Sequence, residues 1–472
     1  MDSRGRVSYI RGVAPEGWRE TEDALWKCFV EEAPNMLSFV EQTTPLRFSL
    51  TDQPDAFPEI RGGMQRGRMV SPGAIRRSLA GPYTAAIRPP SLSHLFTYQE
   101  ALALDPSRHP LKAGLRKLPL VALRWLTGAR GMGTALVVGL LKGCLDNDCR
   151  VRLGVRAVEP VLVGGRVVGL IVEQNGQRRR IFARRGVVLA SGGFEWDKEL
   201  LAKHFPGPID LLGSPPGNDG DAHKIASQAG AILVHMDQAN VTGGIPIRPD
   251  MLPFGISHFF HREANAIIVD RNGERFTNEY RFNLGAVIDE RDPITNSPLH
   301  LPAWLISDAD FLRGSPIIRY FSARNPGWVV QEDSIAQLAN ATSLPQDTLQ
   351  RTIARFNEFC RDGVDVDFHR EDPGPHGIVI GGGKAVRLKP IHRKPFVAIR
   401  FNRTIVSTKG GPRTDAAGRV LRSDGSVIGG LYCAGVAMGN PFGTWAVGPG
   451  TTLGPNMTWG YICANSIALS SP

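Results

Sequence analysis

Gly186–Gly193 reads GVVLASGG and Ile428–Gly435 reads IGGLYCAG, two short apolar runs that each empty directly into glycine. A continuous Val/Leu run of this length is the pattern of a strand buried on both faces of a parallel sheet. Glycine at the strand's exit lets backbone approach a flat or charged ligand, the arrangement of a dinucleotide-type α/β fold. The two runs are more than two hundred residues apart. The sheet they predict is therefore interrupted by an insertion, and its closing strand and helix come last in the chain.

Outward from the second run, residues 440–469 (NPFGTWAVGPGTTLGPNMTWGYICANSIAL) place glycines ahead of a helix expected to begin near Thr451 or Gly454. Such a terminus presents unpaired N–H groups and positive potential. Outward from the first run, residues 151–182 alternate in strand period, with hairpin-type turns at Gly164–Gly165 and Asn175–Gly176, and predict a small antiparallel insertion. Apolar spacing over Thr21–Val40 (Leu25, Phe29, Met36, Leu37, Val40) predicts a helix with Thr21 as its cap, and Pro345–Cys360 predicts another. Gln53–Gly73 is a long Pro- and Gly-rich stretch that either lines a site or runs over the surface. Gly374–Lys384 (GPHGIVIGGGK) reads as a glycine-rich return from the inserted domain.

With 472 residues and 42% apolar composition, two domains are expected. The net charge of +10 is spread out, with no run long enough to be a nucleic-acid tail. Six cysteines without a CxxC pair exclude an iron–sulfur or zinc pattern and point to a reducing compartment, so the cytoplasm is the expected location. The stretch from Leu118 (LPLVALRWLTGARGMGTALVVGLLKG) is interrupted by Arg124, Arg130 and glycines. It reads as two short pieces rather than a membrane span: a buried helix or a cap over a ligand channel, or else a segment touching a membrane surface.

Several ordered motifs then carry a family resemblance. GNDGDAHKIASQAGA (Gly217–Ala231), RNGERFTNE (Arg271–Glu279), LKPIHRKPFVAIR (Leu388–Arg400), GGPRTDAAGRVL (Gly410–Leu421), IGGLYCAG and GPGTTLGP together resemble the flavoproteins that include 3-ketosteroid Δ1-dehydrogenase and fumarate reductase. The resemblance implies an α/β fold: a discontinuous Rossmann-like FAD-binding domain, N-terminally incomplete, with an inserted α+β substrate-capping domain. The expected boundaries are 1–231 (with the antiparallel insertion at about 150–182), 232–386 for the cap, and 387–472. Members of the family open with a strand, G-x-G-x-x-G and helix. This sequence has no such motif, and a preceding or separate segment of roughly 60 to 90 residues is expected to supply it.

The implied cofactor is FAD, with Gly192, Gly193, Asp219, Gly435, Gly448, Gly450, Thr452 and Leu453 as its candidate contacts. The implied chemistry is dehydrogenation or reduction of a C–C bond beside a ketone in a hydrophobic, steroid-like substrate, with a separate electron acceptor. Gly450 matches the ketosteroid glycine whose N–H meets the ketone oxygen. Asn283 stands where these enzymes carry a catalytic Tyr or Arg, and Ala446 where they carry a second Tyr or an Arg. Tyr280, Arg281 and His258 are the candidates to handle the proton. Phe442 and Trp445, with Ala446, are candidates to line the substrate site. Val406–Lys409 reads VSTK, without the histidine that fumarate reductases place there. A fumarate-reductase-like alkene reductase of another substrate, and a truncated non-catalytic product or one part of a heteromer, are the alternative readings.

Overall fold

The computed structural model describes residues 3–106, 108–371 and 388–470, so Gly374–Lys384 lies outside the described residues. The chain divides into two compact units. Met1–Phe194, Asp219–Met236 and Lys409–Pro472 form the first, and Glu195–Asn218 and Asp237–Thr408 the second. The divisions read from sequence, 231/232 and 386/387, differ from these.

In the first unit Val187–Leu189 pairs in parallel with Leu431–Cys433, and Arg419–Leu421 joins the far side of that strand antiparallel. Leu189, Leu431 and Cys433 bury against Ile225 and Ala226 of the helix Asp221–Gln228 and against Trp459 and Cys463 of the closing helix Leu453–Leu469. Residues 156–182 form three antiparallel strands, Arg156–Val163, Arg166–Gln174 and Gln177–Phe182, turning at the two glycine pairs. The long helix Trp18–Thr43 buries Leu25, Met36 and Val40 of the predicted stripe together with Trp26 and Val30, while Phe29 and Leu37 are half-buried. Its N-cap is Gly17, in the left-handed region, and not Thr21. Thr21 lies in the first turn and donates its hydroxyl to Trp18 O at 3.3 Å.

The Leu118 stretch is two helices, Leu118–Thr127 and Met132–Asp146, broken at Gly128 and Gly131. Of the readings offered for it, the buried helix does not hold for the first, since Leu118, Leu123, Trp125 and Leu126 are exposed. Among the described residues no helix is long and apolar enough to cross a membrane. All six cysteines are free.

The second unit is built on a four-stranded antiparallel sheet in the order Ile267–Val269, Trp304–Asp308, Phe396–Arg400, Val329–Glu332. Strand period two splits its core. Ile267, Val269, Ile306 and Ala398 face the helices Ile335–Thr342 and Gln346–Asp362, while Ile268, Leu305, Val397 and Ile399 pack with Phe260, Phe311 and Phe321. Buried Glu195 accepts hydrogen bonds from Asn218 Nδ2 (2.6 Å), Thr408 N (3.2 Å) and Thr408 Oγ1 (2.9 Å). One carboxylate thus ties three of the places where the chain enters or leaves this unit.

Candidate functional site

The ends of the two parallel strands organise the first unit's candidate residues. Beyond Leu189 the chain turns through Gly192 at φ +90°, and beyond Cys433 through Gly435 at φ +77°. Ser191 Oγ accepts from Ala222 N at 3.2 Å and Gly193 O from Gly220 N at 3.1 Å, which fixes the first exit against the start of the helix Asp221–Gln228. Arg156 grips Asp221 through Nε (2.9 Å) and Nη2 (2.7 Å) and reaches Asp219 at 3.6 Å, so Asp219 is held by a salt bridge at this corner.

The third element is the loop from Asn440 to Thr452. Gly448 and Gly450 precede the closing helix, whose N-cap is Thr452 and whose first residue is Leu453. No side chain caps that terminus and its first turn holds no acidic residue. Around the positions where a Cβ would stand on Gly435, Gly448 and Gly450, no atom lies within 4 Å. Gly435, at the carboxyl end of one parallel strand, and Gly448 and Gly450, ahead of the closing helix, thus have open space where a side chain would stand. This is where α/β sheets of this kind take their ligands.

Three side chains far away in sequence strap that loop, and none was singled out by sequence reasoning. Tyr9 donates to Val447 O at 2.7 Å, Trp26 Nε1 to Pro441 O at 2.8 Å, and Lys409 Nζ to Gly443 O at 2.8 Å. Tyr9 also accepts from Phe57 N at 3.3 Å, which ties the Gln53–Gly73 stretch to the same loop. Burial raises the Tyr9 hydroxyl well above its ordinary pKa and lowers Lys409 to about 8. Among the described residues no carboxylate pairs with Lys409. A hydrogen-bonding side chain among three early helical turns carries no local motif, and the pairing depends on the fold. Phe442 is buried edge-on against Phe29, with ring centroids 5.3 Å apart, and packs the loop onto the helix Trp18–Thr43. Trp445 and Ala446 are half-buried.

The second unit holds Tyr280, Arg281, Asn283 and His258. The motif RNGERFTNE is an anchor. Arg275 makes a bidentate pair with Glu279 (3.0 and 3.0 Å) and reaches Asp365 at 2.9 Å, while Arg370 meets the same Glu279 at 3.2 Å. All four of these side chains are buried. The anchor positions the residues that follow it. Tyr280 is buried, donates to Arg262 O at 2.6 Å, and has its pKa raised by burial, so its hydroxyl is committed to structure. Asn283 is buried at the start of the short helix Leu284–Ile288, and Arg281 is half-buried. His258 is half-buried, its ring stacked toward Phe260 with centroids 6.3 Å apart. His261 is fully buried against Phe401, with neither ring nitrogen hydrogen-bonded among the described residues. Burial lowers its pKa well below the ordinary value.

An interrupted α/β unit with glycine-ended parallel strands, and an inserted α+β unit beside it in sequence, define a flavoprotein of the dinucleotide-binding class. The model of the FAD binding domain family matches residues 7–453. The chain is 33% identical to the 3-oxosteroid 1-dehydrogenase of Mycolicibacterium smegmatis over 94% of its own length and 83% of the relative's. It is 29% identical to the 4-oxocyclohexanecarboxylate 2-dehydrogenase of Sinomonas cyclohexanicum, over 98% of this chain and 81% of that one. The 3-ketosteroid Δ1-dehydrogenase from Sterolibacterium denitrificans, solved in complex with 1,4-androstadiene-3,17-dione, superposes with a TM-score of 0.87 at 27% identity, covering 100% of this chain and 89% of that one. The chain belongs to the FAD-dependent flavoprotein family of 3-oxosteroid dehydrogenases and fumarate reductases. Gly435, Gly448, Gly450 and the free amides at the start of the closing helix are the candidates to meet a bound FAD. No G-x-G-x-x-G occurs in the sequence to assign to the pyrophosphate.

Proposed function

We propose that the chain removes two hydrogens from a carbon–carbon bond next to a ketone in a hydrophobic, steroid-like ring substrate. The observation that carries this reading is the likeness along the whole chain to enzymes whose substrates, by name, are ring ketones dehydrogenated beside the carbonyl. FAD, when bound, supplies the acceptor for the hydride. The ketone oxygen gains negative charge as the neighbouring C–H loses its proton, and a backbone N–H fixed at Gly450 stabilises that charge. Gly450 suits the task because it is exposed, adopts φ +84° and leaves open space where a side chain would stand.

The proton needs a base. Asn283 is an amide and Ala446 a hydrocarbon, so neither position takes it. Tyr280 spends its hydroxyl on Arg262 O, and an arginine such as Arg281 stays protonated at neutral pH. Among the candidate side chains His258 alone exchanges a proton readily near neutrality. We therefore assign the proton to His258, and the apolar ring substrate to a surface that includes Trp445. Six free cysteines support a reducing, cytoplasmic setting.

The test is turnover of 4-androstene-3,17-dione by the flavin-loaded protein with a dye acceptor, with loss of two hydrogens read by mass spectrometry. His258→Gln is expected to lower kcat by roughly 100-fold or more while the bound flavin spectrum is retained. Flavin-loaded protein that leaves ring ketones untouched, yet reduces an unsaturated acid from reduced dye, would overturn the reading.

A further inference from the structure

Two consecutive helices of the first unit are turned inside out. In Pro110–Arg116 and Leu118–Thr127 the side chains of Leu111, Leu115, Leu118, Leu123, Trp125 and Leu126 are exposed by 82, 72, 55, 57, 67 and 74%. The buried residues are Ala113 and Arg124. Arg124 turns inward to donate to Leu95 O at 2.8 Å and to Glu100 at 3.2 Å, and Glu100 is itself fixed by a capping box with Thr97. A helix facing water shows the opposite pattern, arginine out and leucine in. Six large apolar side chains exposed on two consecutive helices mark something that covers them.

Charge identifies the cover. Residues 106–145 contain seven Lys and Arg and no Asp or Glu. Lys112 and Arg116 are exposed among the leucines and Lys117 is half-buried. A second copy of this chain, with a net charge of +10, would bring like charge against like. An anionic bilayer surface takes both components: leucine and tryptophan enter the boundary between headgroups and acyl chains, and lysine and arginine lie along it with their charges among the phosphates. Helices of 7 and 10 residues are too short to cross the hydrocarbon core but long enough to lie in its surface.

We propose that Pro110–Thr127 seats the protein on the surface of an anionic phospholipid bilayer. The test is co-sedimentation of the whole chain with sucrose-loaded vesicles of phosphatidylcholine, with and without phosphatidylglycerol. Wild type is expected to pellet with the phosphatidylglycerol vesicles, and binding should weaken at least about tenfold in phosphatidylcholine alone or in high salt. Replacing Leu115, Leu123, Trp125 and Leu126 together by Ser should abolish pelleting without lowering the unfolding temperature. Reversing the two exposed charges (K112E and R116E), which alters no packed residue, should weaken binding about 30-fold. Failure of the wild type to pellet, or equal pelleting by the charge-reversed variant, overturns the proposal. So does lipid-free self-association in sedimentation velocity that the serine variant abolishes, which would make a second copy the occupant.

Discussion

Lys409 is buried with no carboxylate paired to it among the described residues, and that has a measurable signature. Its pKa falls from 10.5 unfolded to about 8 folded. Below pH 8 both states carry the proton and the burial cost is complete. Between 8 and 10.5 the folded protein sheds a proton that the unfolded chain keeps, so stability from this group rises with pH. Relative to Lys409→Met, wild type should gain up to about 3 kcal/mol across that window, measured by urea unfolding at a series of pH values. A flat difference would mean that the amine is hydrated. His261 runs on the acid side. With its folded pKa pushed below 6.5, the unfolded chain takes up a proton that the folded protein refuses, and stability is lost as pH falls below 6.5. His261→Phe should therefore lose less stability than wild type between pH 6.5 and 4.5. Neither residue was legible beforehand: one lysine in VSTK and one histidine in HFFHREA look like any others until the fold decides which side they face.

At the scale of elements, the loop ahead of the closing helix does its work through backbone, and Gly450 is where that can be tested. Gly450→Ala forces a left-handed residue to carry a side chain, at a cost of about 1 kcal/mol, and sets a methyl group into the open space beside the proposed ketone-binding N–H. Gly425, at φ +80° and also with nothing within 4 Å, sits in the turn between Arg419–Leu421 and Val427–Cys433 and supplies a control. Both variants should lose a similar few degrees of thermal stability, and only Gly450→Ala should lose turnover, by roughly tenfold or more. Sequence patterns placed this helix, both glycine-ended strands and the antiparallel hairpins well, because each has a local periodicity and a local stop. They missed the cap of the helix Trp18–Thr43, where a left-handed Gly17 outcompetes a threonine. For Leu118–Thr127 they left a buried helix, a channel cap and a surface-lying segment all open, since a run of leucines reads alike whether or not anything covers it.

For the molecule as a whole, the family motifs marked FAD and the inserted unit but could not say how the chain passes from one unit to the other. The first unit's parallel strands, Val187–Leu189 and Leu431–Cys433, must find each other across more than two hundred residues. Glu195 shortens that search. By drawing Asn218 and Thr408 to itself it brings the entrance and exit of the second unit within a hydrogen bond of each other. Once the second unit has formed, the loop still to be closed is a few tens of residues, and each halving of its length spares about 0.6 kcal/mol of closure entropy. Loop closure therefore predicts an order of assembly in which the inserted unit forms first, with Glu195 as its clasp, and the parallel strands of the first unit pair last. Glu195→Gln, followed by stopped-flow refolding, should leave the early phase unchanged and slow the late one several-fold. Equal slowing of both phases would place the clasp outside the folding path. A protein assembled in this order completes its glycine-ended strands only after its inserted unit is whole.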